Sequence, residues 1–151
     1  VVRTRRTFNE VGLVEGFRSG LEEKLAKELE GHGVPVAFEA FRVPYTKPER
    51  IHRYTPDFYL PNGIVIESKG RFITADRQKH LLVQAQHPDL DIRFVFSNPN
   101  TRISKTSATT YAMWCEKHGF QYAAKSIPSN WIKESVNKRS LAAILALLKV
   151  R

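Results

Sequence analysis

Three side chains near the middle of the chain, Asp57, Glu67 and Lys69, have the types and spacing for phosphodiester chemistry. Glu67 and Lys69 stand two apart and follow Ile64-Val65-Ile66, so on an extended strand they project from one face. Nine residues separate Asp57 from Glu67, and Pro61-Asn62-Gly63 between them is a strong hairpin signal. If Gly63 is left-handed in a three-residue connection, Leu60 opposes Ile64 and Asp57 opposes Glu67. Facing residues in such a pair have Cβ atoms about 4.5–5.5 Å apart, so two carboxylates and an ammonium would share one spot. A slip of one residue would turn Asp57 to the other face and remove the site. Carboxylates held that close repel unless a cation lies between them. Mg²⁺ suits them, because it takes hard oxygen ligands and keeps waters for chemistry, and Mn²⁺ is expected to substitute. Lys69 could position the attacking water or stabilise charge on the phosphate. The competing account is a solvated hairpin with Pro56-Asp57 as an ordinary turn. Against it, both acids are embedded among Phe58, Tyr59, Leu60, Ile64, Val65 and Ile66.

The flanking pattern supplies elements to position these groups. Ser19 and Glu22 form a capping box ahead of Leu21, Leu25, Ala26 and Leu29, predicting a first helix stopped by Gly31 and Gly33. Glu22 has an ordinary role there, as the third residue of the box. A strand-like stretch covers 34–45, and Pro44 and Pro48 bracket an extended connection. Two strands, 54–60 and 64–69, make the hairpin. Thr74 is read as the cap of a second helix to 86, with Leu81, Leu82 and Ala85 inward and Arg77 and Lys79 outward. A buried strand at 92–96, a polar loop at 97–106, a helix near 108–118 closed by Gly119, a strand at 120–123 and a helical turn at 128–134 follow. This order predicts an α/β domain with a mixed sheet flanked by helices.

Composition narrows the partners. The 151 residues fit one domain, and 24 basic against 15 acidic side chains give a formal charge of +9, which favours a polyanion such as nucleic acid. No apolar run reaches membrane-spanning length, and the first residues lack a signal-peptide stretch. Neither a membrane nor a small-molecule cofactor is expected as a partner. Cys115 is the single cysteine, which excludes an internal disulfide and points to a reducing cytoplasm. Residues 1–16, with Arg3, Arg5 and Arg6, read as a basic arm, and 135–151 as a C-terminal tail.

Pro56-Asp57 with Glu67-Ser68-Lys69 matches the short PD-(D/E)XK nuclease signature. A wider match includes Phe17-Arg18-Ser19-Gly20-Leu21-Glu22, Val43-Pro44-Tyr45, Tyr54-Thr55-Pro56-Asp57-Phe58 and Leu60-Pro61-Asn62-Gly63-Ile64. It continues through Glu67-Ser68-Lys69-Gly70, Lys79-His80-Leu81-Leu82, Gln86-His87-Pro88 and Cys115-Glu116-Lys117-His118-Gly119 to Trp131-Ile132-Lys133-Glu134. Over 17–134 the chain resembles the bacteriophage endonuclease I family of Holliday-junction resolvases.

That resemblance implies a restriction-endonuclease-like fold and a domain-swapped homodimer that nicks branched double-stranded DNA in pairs, in the cytoplasm of a bacterial host. It implies a catalytic set of Glu22, Asp57, Glu67 and Lys69. Two metal ions per site would be held, Asp57 bridging both, Glu67 and the Ser68 carbonyl on one and Glu22 on the other. Segment 17–45 would be exchanged between subunits. Arg77, Lys79, Arg102 and Lys105 are the candidate DNA contacts. The arm is not matched residue by residue, and Leu141 to Leu148 is more apolar than the lysine-rich tails of the family; it reads as a terminal helix packed on the core or the dimer. Two rival functions are a PD-(D/E)XK nuclease for transposon ends or broken linear duplex, and a binding module without chemistry.

Overall fold

The computed structural model of the chain describes residues 20–47 and 50–150. The basic arm, Ser19 of the capping box and Pro48 lie outside them. In chain order the elements are α1 (Gly20–Gly31), β1 (Val43–Lys47), β2 (Arg50–Tyr54), β3 (Phe58–Tyr59), β4 (Ile64–Lys69), α2 (Thr74–Gln86), β5 (Asp91–Phe96), α3 (Tyr111–His118), β6 (Tyr122–Ala124), α4 (Ser129–Lys133) and α5 (Lys138–Leu148). One sheet has the order β3-β4-β5-β6, antiparallel at its first pairing and parallel at the other two; β1 and β2 form a separate antiparallel pair. The architecture is a mixed α/β domain with helices flanking a sheet, as the sequence pattern predicts.

Burial on both faces explains why the central strands read as near-continuous apolar runs. Val65, Ile92, Phe94 and Phe96 face a cluster with Val83 of α2, Trp114 and Cys115 of α3 and Ile144 of α5. Ile64, Ile66 and Val95 face the other way, onto Leu25, Ala26 and Leu29 of α1 and Trp131 of α4. Each large apolar side chain so buried contributes roughly 1.5–3 kcal/mol. The buried Arg93 on β5 is neutralised by Asp91 at 2.8 Å and Glu134 at 2.6 Å, and its guanidinium lies 5.2 Å from the Trp131 ring centre. The apolar tail is the expected terminal helix on the core: Ile144 is fully buried and Ser140 Oγ donates to the Gly63 carbonyl at 2.6 Å.

Several boundaries differ from the sequence expectation. The strand expected over 34–45 begins only at Val43; before it, Phe38 makes an isolated bridge to Phe58 and Glu39 takes a positive φ of 47°, which ends regular extension. Val34, Val36 and Phe38 are partly buried against the α1 cluster, so their alternation reflects packing without a ladder. The strand expected over 54–60 is divided: Tyr54 ends β2 and β3 has two residues. Pro56 has no N–H to give to a ladder, and the Asp57 N–H turns to the Glu67 carboxylate. Thr74 does not cap α2; Ile73 occupies the cap position, and Thr74 Oγ1 accepts from Arg77 Nη2. The inward face of α2 is Arg77, His80 and Val83, while Leu81 and Leu82 are half-buried and Ala85 is exposed. Thr110 caps α3 by accepting from the Met113 N–H, so that helix starts three residues later than expected.

Candidate active site

The hairpin register decides the site. Phe58 pairs with Ile66 and Tyr59 with Val65, which sets Asp57 across from Glu67. The turn closes through the Leu60 N–H to the Ile64 carbonyl at 2.8 Å and the Gly63 N–H to the Leu60 carbonyl at 2.9 Å. Gly63 has φ 93°, the left-handed conformation the connection requires. Asp57 Oδ2 accepts from the Ser68 N–H at 2.9 Å and the Ser68 hydroxyl at 2.8 Å. Glu67 Oε1 accepts from the Tyr54 hydroxyl at 2.7 Å and from the Asp57 N–H at 3.3 Å. Lys69 Nζ lies 3.4 Å from Glu67 Oε2 and 3.4 Å from Asp76 Oδ1, which α2 supplies from its first turn.

Tyr54, Asp57, Glu67, Ser68 and Lys69 line a cavity of about 340 Å³ at the C-terminal end of β4. Glu22, Asp57, Glu67, Ser68 and Lys69, all singled out by the sequence, meet there, and Lys79 joins them. Glu22 reaches the cavity from α1 and is itself buried. The other candidate DNA contacts do not line it. Arg77 is buried, not outward, and donates to the Phe72 carbonyl and Thr74 Oγ1. Arg102 and Lys105 are exposed on the loop between β5 and α3.

Burial and mutual repulsion shape the electrostatics. Burial pushes the Glu67 carboxyl up to about 8, helped by the neighbouring Asp57 and opposed by Lys69 and Tyr54. Burial also raises Asp57, against the pull of its two Ser68 hydrogen bonds. Burial works to lower Lys69, but Glu67, Asp76 and Asp57 outweigh it and hold the ammonium above its ordinary value. Burial and then Lys69 lower Lys79. Burial favours the protonated form of both acids, and a divalent ion held beside them would favour the anions instead. Among the described residues no three acidic, histidine or cysteine groups converge into a cage. Asp57 and Glu67 offer hard carboxylate oxygens, the donor chemistry that suits a hydrated divalent ion.

Four residues of the site are not among those that the sequence singles out for chemistry. Tyr54 and Asp76 act through tertiary contacts, and Arg53 enters the cavity wall from β2, a strand the periodicity does not reveal. Glu39 also lines the cavity, its N–H donating to the Asp57 carbonyl at 2.7 Å. Nothing in the residue pattern marks a glutamate for a positive φ.

Fold and site together define a class: an α/β protein whose sheet carries the Pro-Asp…Glu-x-Lys pattern over a polar cavity. The chain belongs to the Phage endonuclease I family, whose family model matches residues 4–151. It is 54% identical over 121 residues to Endonuclease I of Escherichia phage T7, covering 80% of this chain and 81% of that protein. It is also 54% identical over 118 residues to Endodeoxyribonuclease 1 of Enterobacteria phage T3, covering 78% of each chain.

Proposed function

We propose that the chain is a divalent-metal-dependent endonuclease that resolves four-way (Holliday) junctions and other branched DNA by paired phosphodiester hydrolysis. The observation that carries this reading is the pairing of Asp57 with Glu67 beside Lys69 in one polar cavity. The names of the T7 and T3 relatives, an endonuclease and an endodeoxyribonuclease, support DNA as the substrate. Asp57, Glu67, the Ser68 carbonyl and Glu22 would hold up to two Mg²⁺ ions, with Mn²⁺ a substitute. Bound there, the metal would supply Lewis-acid polarisation of the phosphate and a more acidic water. The chain's own groups do the rest. Lys69, kept protonated by three acids, offers a fixed positive charge to the phosphate. Tyr54 and Ser68 fix one oxygen of each carboxylate, so the pair is set before substrate arrives.

The homodimer and the exchange of segment 17–45 belong to the same proposal, as does the host-cell cytoplasm as the place of action. Within the single chain α1 packs on its own β4 side of the sheet, and residues 32–42 between α1 and β1 hold no helix and no strand longer than one bridge. A crossing through that connection would carry α1 alone, whereas the exchange of 17–45 would also take residues 43–45 of β1 to the second copy.

A four-way junction and a linear duplex of matched sequence separate this function from its rival. The parent should nick the junction in Mg²⁺ at least about a hundredfold faster than the duplex, a difference of roughly 2.7 kcal/mol in barrier. Glu67→Gln should still bind the junction and lose cleavage. Equal rates on both substrates would remove the resolvase reading, and undiminished cleavage by Glu67→Gln would remove the metal site.

A further inference from the structure

Lys79 is a cation set into the acidic cavity without an acid of its own. It lines the cavity from α2, and its side chain is only 23% exposed. The carboxylate oxygen nearest to it among the described residues is Asp76 Oδ1 at 3.8 Å, too long for a hydrogen bond. That same oxygen lies 3.4 Å from Lys69 Nζ, so one acid serves two ammoniums. The two lysines fare differently. Lys69 also has Glu67 at 3.4 Å and is held above its ordinary value, whereas burial and then Lys69 push Lys79 below it. The Tyr54 ring, its centre 5.1 Å from Lys79 Nζ, favours the charge but uses little of the ammonium's capacity to donate. Lys117, Lys133 and Lys138 have no acidic partner among the described residues either, but they are exposed and water serves them. Lys79 is largely withdrawn from water, and buried cations are as a rule paired.

The helix fixes where that ammonium can go. Asp76 and Lys79 stand three residues apart on α2, on one side of it. The helix is seated through its inward residues, Arg77, which donates to the Phe72 carbonyl, and the fully buried His80. The charges of Glu67 and Asp57 reach Lys79 as well as that of Asp76, so its ammonium lies close to the carboxylate pair. In the function proposed above, Asp57 and Glu67 are metal ligands, which leaves Lys79 with the acid it shares with Lys69. An anion brought to that pair would meet Lys69 from the strand and Lys79 from the helix. In a phosphodiester attacked by water, the bond to the leaving oxygen breaks as the new bond forms. Negative charge then gathers on the non-bridging oxygens. A desolvated, rigidly mounted cation stabilises such charge far better than one in open water.

We propose that Lys79 is a second catalytic cation, its ammonium on a non-bridging oxygen of the phosphodiester being cut, beside Lys69. This rests on the chain hydrolysing DNA at this cavity as proposed above. It accounts for a largely buried cation with unused donors, and for the single Asp76 between the two lysines. In the free protein that acid keeps both ammoniums in place. The substrate's phosphate then takes over Lys79, the more weakly held of the two, which stabilises charge and keeps its protons.

The test separates rate from binding and from folding. Lys79→Met keeps the stem over Tyr54 and removes the charge, and Lys79→Arg keeps the charge. Each is measured for nicking of a four-way junction at saturating DNA and Mg²⁺, for junction affinity in EDTA and for melting temperature. Lys79→Met should nick about a hundredfold to a thousandfold more slowly, the loss typical when one group facing developing charge is removed. Its junction affinity should fall by at most about tenfold, since one phosphate contact among many is lost. It should melt no lower than the parent, because a desolvated cation beside Lys69 is gone. The Mg²⁺ needed for half-maximal rate should not rise, as one positive charge fewer near Asp57 and Glu67 favours a divalent ion there. Lys79→Arg should recover most of the lost rate. If Lys79→Met does not fold, Lys79→Gln is measured in the same way. A folded neutral variant that nicks within about threefold of the parent would overturn the proposal, however much affinity it loses, because a contact used only for binding changes KM and not kcat. A rate loss that more Mg²⁺ restores, or that Lys79→Arg shares in full, would overturn it too. The parent's own cleavage keeps the two readings apart: a parent that cuts no DNA removes both, and a parent that cuts no better than its neutral variant removes this one alone.

Discussion

The Tyr54 hydroxyl is the most exacting contact at the site, because it is buried, short and directed at the carboxylate that any metal would use. The ring is fixed as well, edge-on to His80 at 4.8 Å and beneath Lys79 Nζ at 5.1 Å. Tyr54→Phe keeps that packing and deletes one hydrogen bond. Groups that orient a metal ligand are typically worth ten- to a hundredfold in metal affinity or activity. Cleavage at saturating DNA should drop about tenfold to a hundredfold and the Mn²⁺ needed for half-maximal rate should rise. Junction binding in EDTA should be unchanged. A Tyr54→Phe protein with parental metal dependence would show that Glu67 holds its place without help. Residues of this kind explain the limit of sequence reading at this scale. Asp57, Glu67 and Lys69 were legible because strand alternation and a fixed register set their directions. Tyr54, Glu39 and Asp76 come from three other places in the chain, and only folding brings them to the carboxylates.

Gly63 shows how an element transmits its geometry. A Cβ there would lie 2.8 Å from the Asn137 carbonyl oxygen and 3.0 Å from the Leu141 nitrogen, both backbone atoms at the start of α5. Its φ of 93° is also strained for any L side chain. Gly63→Ala should therefore destabilise by at least about 2 kcal/mol, as strained backbone and weakened helix packing combine. Gly20→Ala, with open space around the added methyl, should not lose stability. Urea midpoints of the two variants make the comparison, and an unshifted midpoint for Gly63→Ala would mean that α5 yields easily. The same turn made the hairpin register readable in advance, since Pro61-Asn62-Gly63 allows few pairings. Elements without such a marker were less readable. The alternation over 34–42 comes from packing on α1 and not from a ladder, and Thr74 had the composition of a cap while its hydroxyl serves Arg77. β2 escaped notice because its charged, half-exposed residues show no apolar alternation.

Across the whole molecule, two apolar clusters on opposite faces of the sheet hold the acidic cavity at its end, and the cost of that arrangement appears as a dependence of stability on pH. Glu67 titrates near 4.5 when unfolded and at about 8 when folded without metal, so between those values the folded chain binds the extra proton. Its contribution to stability is complete below pH 4.5 and is lost as pH rises through 8, by at most about 1.4 kcal/mol per pH unit. Asp57, also raised, acts in the same sense. His80 opposes them: fully buried, without a hydrogen-bond partner among the described residues and held well below 6.5, it favours folding as pH rises toward that value. Glu67 is therefore isolated by comparing the parent with Glu67→Gln in EDTA from pH 5 to 8. The parent should lose stability relative to the variant across that range. Mg²⁺ should restore the parent most at the alkaline end, where the carboxylates are anions ready to accept it, and should leave the variant far less affected. Parallel stability curves for the two proteins, with no greater effect of Mg²⁺ on the parent, would mean that the buried acids are neutralised by Lys69 and their hydrogen bonds alone.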